Sequence, residues 1–257
     1  MPVAQVYEVQ PGDTLSKIAQ KFGVTLDALR TANQQITNPD LIMIGDQIKI
    51  PTEAPAPLPP APAPGHPTIY DGIHPAPGTI STSRAALITP PLTNDANNRS
   101  ADVYAQVINQ FAVGNNPRYL PGQGNTYCNI FVWDVTRALG AEIPHWLNAA
   151  GQRAAPFSPG AHEVNINGGI DWMHSHGVPE QGWRSATDVE AQNAANAGQL
   201  AVVLWKNPIH HGHTAIVRPG TITAKGPATA QAGAINFNMG HMKDGFHDLP
   251  GKYFIHA

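Results

Sequence analysis

A proline-rich segment divides this chain and most constrains what it can fold into. From residue 51 to residue 67, eight of 17 residues are proline, and alanine is the most frequent of the others. Such a composition favours polyproline II and cannot build a core, because it supplies almost no large apolar side chains. At ~3.1 Å per residue the segment is a semi-rigid spacer of up to roughly 50 Å. We therefore predict a domain over residues 1–51, a linker over 52–98 and a second domain over 99–257. The later part of residues 52–98 either continues the linker or lies as an arm on the second domain.

Composition and charge exclude several classes of protein. The 257 residues include 15 basic and 18 acidic side chains, so the chain lacks the basic excess typical of nucleic-acid binding. No apolar run approaches the ~18 residues that a membrane-spanning helix needs. Residues 1–5 have neither the basic start nor the apolar core of a secretory signal. We expect synthesis in the cytoplasm, and delivery by lysis or by a route other than the general secretory one.

A small unit precedes the proline-rich segment. A helix is predicted where apolar residues recur at i, i+3, i+4 and i+7, namely Leu15, Ile18, Ala19 and Phe22. Asp13 or Thr14 can cap its start, and Gly23 ends it. A strand over residues 6–9 precedes this helix, a second helix follows from Thr25, and a strand over residues 47–50 closes the unit. The predicted order is strand, helix, helix, strand.

This unit resembles the LysM family from end to end, over residues 7–15, 18–19, 22–24, 38–40 and 45–51. The resemblance implies a βααβ fold that binds GlcNAc-containing glycan, peptidoglycan or chitin, in a groove between two loops. It places the glycan contacts at Gly12, Asp13, Thr14, Leu15, Pro39 and Ile42. The alternative is a small module that only mediates protein contacts.

The second domain shows helices first and strands afterwards. Apolar spacing predicts helices over about 103–111, 128–139 and 187–197, each ending at or shortly before a glycine. Apolar runs predict strands over 200–205 and 214–217 around a turn, and a last strand over about 234–237. This order is typical of an α+β fold. Residues 144–182 interrupt it as an insertion that we interpret as a substrate wall.

The single cysteine, Cys128, is a candidate nucleophile. One cysteine excludes an intramolecular disulfide and a cysteine-rich zinc site. Cys128 follows the polar turn 122–127 and opens a predicted helix. A helix N-terminus lowers the pKa of a thiol, and nearby backbone amides can stabilise an oxyanion. A structural cysteine would more naturally lie within the apolar stripe of the helix.

Of the 12 histidines, His213 is the candidate base. It follows Gly212 at the start of a predicted buried strand, which is rigid enough to hold an imidazole against the helix. His66, His74 and His256 are expected to be exposed, and His174 and His176 to lie in the insertion without binding metal. A zinc hydrolase using His210, His211 and His213 is the rival interpretation, although these residues lack the helical spacing of zinc ligands. We predict no cofactor and no metal.

Residues 127–135 and 212–217 resemble the cysteine helix and histidine strand of the papain-like CHAP and NlpC-type wall hydrolases. The resemblance implies a papain-like domain with helices packed on an antiparallel sheet. It also implies a third residue that orients the imidazole, for which Gln231 is the first choice and Asn236 or Asn238 the alternatives. Tyr119 or Tyr127 could assist at the oxyanion. Asp134 lies six residues along the helix and is expected to point away, as a cap or an ion-pair partner.

Together these features predict a cysteine-dependent peptidoglycan amidase or endopeptidase that the LysM domain holds on its substrate. The expected partners are peptidoglycan and, for an antibacterial effector, a cognate immunity protein or secretion machinery; a phage-type lysin is the other context. A wall-binding protein with an inactive second domain and an acyl transferase remain alternatives. The bond that is cut stays open.

Overall fold

The computed structural model describes residues 3–11, 13–22, 24, 29–30, 32–36, 42–51, 70, 72–76, 78–79, 83–94 and 99–256. The chain divides into two compact units, residues 1–66 and residues 67–257. Most of the proline-rich segment lies outside the described residues, as do the predicted helix stop Gly23 and the predicted helix start Thr25. Within the described ranges, no helix is both long and apolar enough to cross a bilayer.

In the N-terminal unit, an antiparallel strand pair packs on a helix. Strand β1 (Val3–Glu8) pairs with β2 (Gln47–Pro51), and helix α1 spans Leu15–Phe22. The predicted helix and its apolar spacing are confirmed, because one face of α1 joins Val9, Leu29, Ile48 and Ile50 in the core. Leu29, Arg30 and Ala32 are helical, which agrees with a second helix here. Asn33 ties that helix to β2, since its Nδ2 donates to Lys49 O and its Oδ1 accepts from Lys49 N.

A side-chain cap marks the start of one helix of the second unit, and a glycine marks the end of another. Helix α2 spans Ala101–Asn109, and Oγ of the N-cap residue Ser100 accepts from the N–H of Val103. Helix α3 spans Cys128–Ala138, and Gly140 follows it with φ of 77°. Such a positive φ suits glycine and ends the helix. Apart from Asn129 and Arg137, every residue of α3 is buried, so this helix lies in the middle of the core.

A six-stranded antiparallel sheet in the order β5-β10-β6-β7-β8-β9 forms the other half of this unit. Its strands are β5 (Trp183–Ala186), β6 (Leu200–Trp205), β7 (His213–Val217), β8 (Ala228–Gln231), β9 (Phe237–His241) and β10 (Lys252–His256). Helix α6 (Asp188–Asn196) lies between β5 and β6 in sequence and starts at a Thr187–Glu190 capping box. The predicted strands 200–205 and 214–217 are confirmed, and the fold is α+β.

The predicted last strand over 234–237 is wrong. Residues 233–235 form a bend, and Phe237 opens β9, which pairs with β8. Strand β8 was missed because Ala228–Gln231 lacks the β-branched and aromatic run that marks a strand. Strand β10 was missed as well, although it inserts between β5 and β6. Its place in the sheet depends on partners about 50 residues or more earlier in the chain.

The insertion has its own small elements. Strands β3 (Trp146–Leu147) and β4 (His162–Glu163) form a two-stranded ladder, and α4 (Ile166–Trp172) runs into a π-helical turn (Met173–Gly177) and the short α5 (Val178–Glu180). Helix α7 (Met242–Phe246) follows β9.

The described parts of residues 70–94, which precede α2, pack on the second unit. Arg118 donates to Ser83 O and Ala86 O, and Ile88 enters the core.

Candidate active site

Cys128 is the first residue of α3, directly after the turn that the sequence predicts. Gly122 and Asn125 exchange two backbone hydrogen bonds across this turn, and Gln123 and Gly124 have φ of 52° and 76°. Tyr127 is the N-cap residue, and its ring lies 3.8 Å from the guanidinium carbon of Arg84. The cysteine therefore lies where an exposed turn meets a buried helix.

The environment of Cys128 differs from the sequence-based expectation in one respect. The residue is only 6% exposed, and this burial raises the pKa of the thiol to about 11. The backbone N–H groups of Thr214, Asn129 and Cys128 itself act in the opposite direction. A helix start does favour the thiolate here, but the loss of water outweighs it. The thiol is protonated unless a neighbouring base removes its proton.

His213 is the first residue of β7, and its position is fixed by two backbone segments that approach each other closely. It lies opposite Trp205 of β6, and a side chain on the preceding Gly212 would overlap the carbonyl oxygen of Trp205. Because the amide of Thr214 points to the Cys128 sulfur, the histidine and the cysteine lie on adjoining segments of β7 and α3. The structure thus packs against each other two segments whose candidate residues are 85 positions apart in sequence.

Gln231, the first choice for the third residue, contacts His213 directly. Its Oε1 lies 2.7 Å from Nε2 of His213, and its own Nε2 donates to Ile235 O at 3.0 Å. The second bond fixes which end of the amide faces the histidine. Because an amide oxygen only accepts, Nε2 of His213 carries the proton and Nδ1 is left with a free lone pair. This tautomer is the one a general base needs.

The pKa of His213 is lowered, chiefly by burial and further by the nearby His247, whereas the bond to Gln231 raises it. The imidazole is therefore neutral near pH 7 and able to accept a proton. At rest, the thiol of Cys128 and the imidazole of His213 are therefore both uncharged. An uncharged thiol and an imidazole can run nucleophilic chemistry if proton transfer between them accompanies the attack.

Helix α7 supports this arrangement in a way that the sequence did not reveal. The ring of Phe246 lies 4.6 Å from that of His213, centroid to centroid. A side chain on Gly245 would overlap Oε1 of Gln231, so only glycine leaves the amide in place. Neither residue belongs to a recognisable motif, and only the close approach in space identifies them.

Two candidates that the sequence offered are corrected by the structure. The hydroxyl of Tyr119 is buried and donates to Oδ2 of Asp134, so it is not free to reach an oxyanion. Asn236 uses its Nδ2 on Val113 O and Tyr119 O and its Oδ1 on Gly233 N, so it orients loops and not the imidazole. Asp134 forms a buried ion pair with Arg118 at 2.7 Å, as expected for a residue that points away.

The remaining candidates divide as follows. Asn238 donates to Asn109 and does not orient His213. Tyr127 stays at the start of α3, packed against Arg84. His211 has its Nδ1 beside Nδ2 of Asn165, while Nε2 of His213 faces Gln231. Over the described ranges, no three His, Cys, Asp or Glu side chains come together as a metal site.

In the N-terminal unit, the structure changes the set of candidate glycan contacts. The side chain of Leu15 is buried in the core, so it presents no apolar surface to a ligand. Asp13 accepts from the Tyr7 hydroxyl and the Gln10 N–H, which lowers its pKa and fixes the first loop. Thr14 accepts from Lys17 N as a helix cap. Gly12 and Pro39 lie outside the described residues.

The second loop of this unit presents apolar side chains to solvent. Ile42 packs partly against the core, but the next two residues, Met43 and Ile44, are 68% and 69% exposed. The N–H of Met43 donates to Asp46, which shapes the loop. Exposed apolar side chains on an ordered loop are typical of a recognition surface.

Residues 7–51 match the LysM domain family. The N-terminal unit is a LysM domain. Such a domain implies binding to GlcNAc-containing glycans such as peptidoglycan or chitin, and association with a cell wall. The chain is similar to the spore coat assembly protein ExsA of Bacillus cereus, with 52% identity over 50 residues, 20% of this chain and 8% of that protein.

Two further relatives show the same extent of similarity. SpoIVD-associated factor A of Bacillus subtilis is 49% identical over 49 residues, 19% of this chain and 13% of that protein. The secreted LysM effector ECP6 of Passalora fulva is 51% identical over 45 residues, 18% of this chain and 20% of that protein. The chain spans a fifth or less of each of these three relatives. The family match ends at residue 51, so the second unit is interpreted from its own geometry.

Proposed function

We propose that this chain is a cysteine-dependent amide hydrolase of peptidoglycan, with a papain-like second domain and a LysM domain that keeps it on its substrate. The observation that carries the proposal is the 2.7 Å contact between Nε2 of His213 and Oε1 of Gln231 beside the Cys128 helix. This contact supports the proposal because it leaves Nδ1 of a strand-start histidine as the acceptor that a general base needs.

The chemistry follows from the atoms at the site. Nδ1 of His213 takes the proton of the Cys128 thiol as the sulfur attacks an amide carbonyl carbon, and the backbone N–H of Cys128 donates to the developing oxyanion. The carbon–nitrogen bond then breaks, and His213 returns its proton to the leaving amine. Water, deprotonated by His213, hydrolyses the thioester and releases a carboxylate and the free thiol. Gln231 acts throughout as a positioning residue.

The LysM domain supplies the substrate class for this proposal. An insoluble polymer is attacked more effectively by a tethered catalyst, because binding raises the local concentration of its bonds. The proposed site of action is the cell wall or periplasm of a bacterium. An effector with a cognate immunity protein or a phage-type lysin would both fit this proposal.

One observation favours a second candidate, a wall-binding protein without catalysis. Burial raises the pKa of Cys128 to about 11, which is the property of an unreactive cysteine. In that case purified protein would sediment with sacculi but would release no new amine from them.

Muropeptide mass spectrometry separates these functions. Sacculi are digested with the wild-type chain and with Cys128→Ala, and we expect new peptide or amine termini only with the wild type. Cys128→Ser is the matched control that keeps the shape of the site. Identical profiles for the wild type and the undigested sample would refute the hydrolase. Loss of activity with a chelator, together with full activity of Cys128→Ala, would instead support the zinc alternative.

A further inference from the structure

The insertion of the second unit is fastened to the residue that follows the candidate nucleophile. Nδ2 of Asn129 lies 3.3 Å from Nδ1 of His145 and 3.4 Å from Val164 O. The N–H of Val164 donates to His145 O at 2.9 Å, which closes the base of the β3–β4 ladder. Because both ends of this hairpin meet at Asn129, the wall it forms has a fixed position beside Cys128.

The same insertion is fastened to the loop that leads to His213. Nδ2 of Asn167 donates to Asn207 O and His210 O, and its Oδ1 accepts from Asn207 N. Nδ2 of Asn165 lies 3.1 Å from Nδ1 of His211. Hydrogen bonds therefore fix the wall to the segments that carry Cys128 and His213. A ligand bound to the wall has a defined position with respect to both residues.

An aromatic pair forms the outer part of this wall. The rings of Trp146 and Phe157 lie 4.9 Å apart, and Trp146 is buried while Phe157 is 72% exposed. Phe157 also has φ of 60°, a conformation that costs energy in a residue other than glycine. The surrounding turn is nevertheless ordered, since Ser158 Oγ donates to Ala155 O and Ala161 N to Ser158 O. A flat apolar ring is thus presented to solvent at an energetic cost, which favours a binding role.

The LysM domain in the same chain indicates what the ring meets. We propose that Phe157, supported by Trp146, is a subsite for a pyranose ring of the glycan strand, and that the bond cut is the amide joining muramic acid to the first residue of the peptide. The axial C–H groups of a GlcNAc-type pyranose form an apolar face that packs on such a ring. The half-exposed carboxylate of Glu163, in the same hairpin, offers an acceptor for sugar hydroxyls.

The choice of bond follows from where the wall begins. Its base is attached at Asn129, the residue after Cys128, so a glycan strand held on Phe157 is anchored by the same hairpin that is joined to the nucleophile's helix. Of the amides that join peptidoglycan's glycan strands and peptides, the one nearest a sugar ring is the muramoyl–peptide amide. This inference rests on the proposed function for its chemistry, but the sugar subsite can be tested without turnover.

Tryptophan fluorescence of the full chain tests the subsite. All five tryptophans lie between residues 133 and 205, so glycan binding to the LysM domain adds no direct signal. Cys128→Ala is titrated with GlcNAc-MurNAc-L-Ala-D-isoglutamine and, separately, with L-Ala-D-isoglutamine. We expect a saturable change with the first ligand alone. Adding Phe157→Leu should weaken binding about fivefold to tenfold, and Phe157→Trp should restore it. Val189→Ala, which shortens a side chain 52% exposed on α6, is the matched control and should leave the affinity unchanged.

The outcomes separate the two proposals. Equal affinity of the Phe157→Leu variant, or equal binding of the sugar-free dipeptide, overturns the subsite. A Phe157-dependent signal with phosphatidylglycerol vesicles and none with the disaccharide ligand would make the wall a membrane contact and overturns it too. If Cys128→Ala and the wild type release the same products but the titration depends on Phe157, hydrolysis by Cys128 fails and the subsite stands. If the wild type cuts only within the peptide, the assignment of the bond fails.

Discussion

The two units of this chain present their candidate functional residues in opposite ways. The LysM domain exposes Met43 and Ile44 on a loop, at 68% and 69%. The second unit buries its candidate nucleophile, and Cys128 is 6% exposed. Recognition of a polymer needs only a surface, whereas nucleophilic chemistry needs a place where water is limited and the partners are fixed.

The same contrast applies to how each function is encoded. The LysM pattern is local, and its residues follow one another within 45 positions that match a family end to end. The second site joins Cys128 to His213, then to Gln231 and finally to Gly245, which come from a helix, two strands and a second helix. A surface can be recognised from contiguous sequence, but a buried site depends on contacts between distant segments.

The largest expected effect concerns the second unit alone. Replacing His213 with alanine removes the base, so release of new termini from sacculi should fall by about 10²- to 10⁴-fold. Binding to sacculi should be unchanged, because the LysM domain is untouched. The measurement is amine release alongside a sedimentation assay. His210→Ala, which alters an exposed neighbour in the preceding loop, is the control and should keep wild-type activity. The reverse pattern would assign the chemistry to another residue.

The sequence predicted much of this second unit, and the exceptions have physical reasons. Helix α3 and strands β6 and β7 carry strong apolar patterns that local propensity already favours. Gln231 could be named from the sequence because it lies in the segment after the histidine strand. The shift in the pKa of Cys128 could not be predicted, since its direction depends on how deeply α3 is buried. Tyr119 and Asn236 looked available because nothing in a sequence shows that their polar atoms are already used.

The next effect concerns stability and should again be confined to the second unit. Asp134 and Arg118 form an ion pair with both side chains fully buried. Asp134→Ala leaves the guanidinium without its counter-charge, so the free energy of unfolding should fall by about 3–5 kcal/mol. Urea unfolding followed by tryptophan fluorescence measures this, because the five tryptophans lie in the second unit. Asp102→Ala, at an exposed position in α2, should cost far less. Equal losses for both variants would show that burial of the pair is unimportant.

A smaller effect tests the buried state of Cys128 through pH. Burial raises its pKa from 9.0 to about 11, so the folded state holds the thiol proton longer than the unfolded state does. The stability that this supplies is present below pH 9 and is lost as pH rises towards 11, by about 3 kcal/mol in all. Cys128→Ala should remove that part of the alkaline loss, as measured by urea unfolding at pH 8 and pH 11. If the two proteins lose stability in parallel, the thiol has the same pKa in the folded and unfolded states, and burial does not hold its proton.

The smallest effect should appear in the LysM domain and leave the chemistry intact. Met43→Ser removes an apolar side chain that is already exposed, so it costs little stability and acts on binding. We expect affinity for sacculi to fall about threefold to tenfold. Cleavage of a soluble disaccharide-peptide should not change, because that substrate needs no tether. Val6→Ser, at a 56% exposed position on β1, is the matched control in the same domain. If it weakens binding as much as Met43→Ser does, the recognition surface extends beyond the loop. Binding would then be distributed over the domain, whereas the chemistry proposed for the second unit depends on a few atoms.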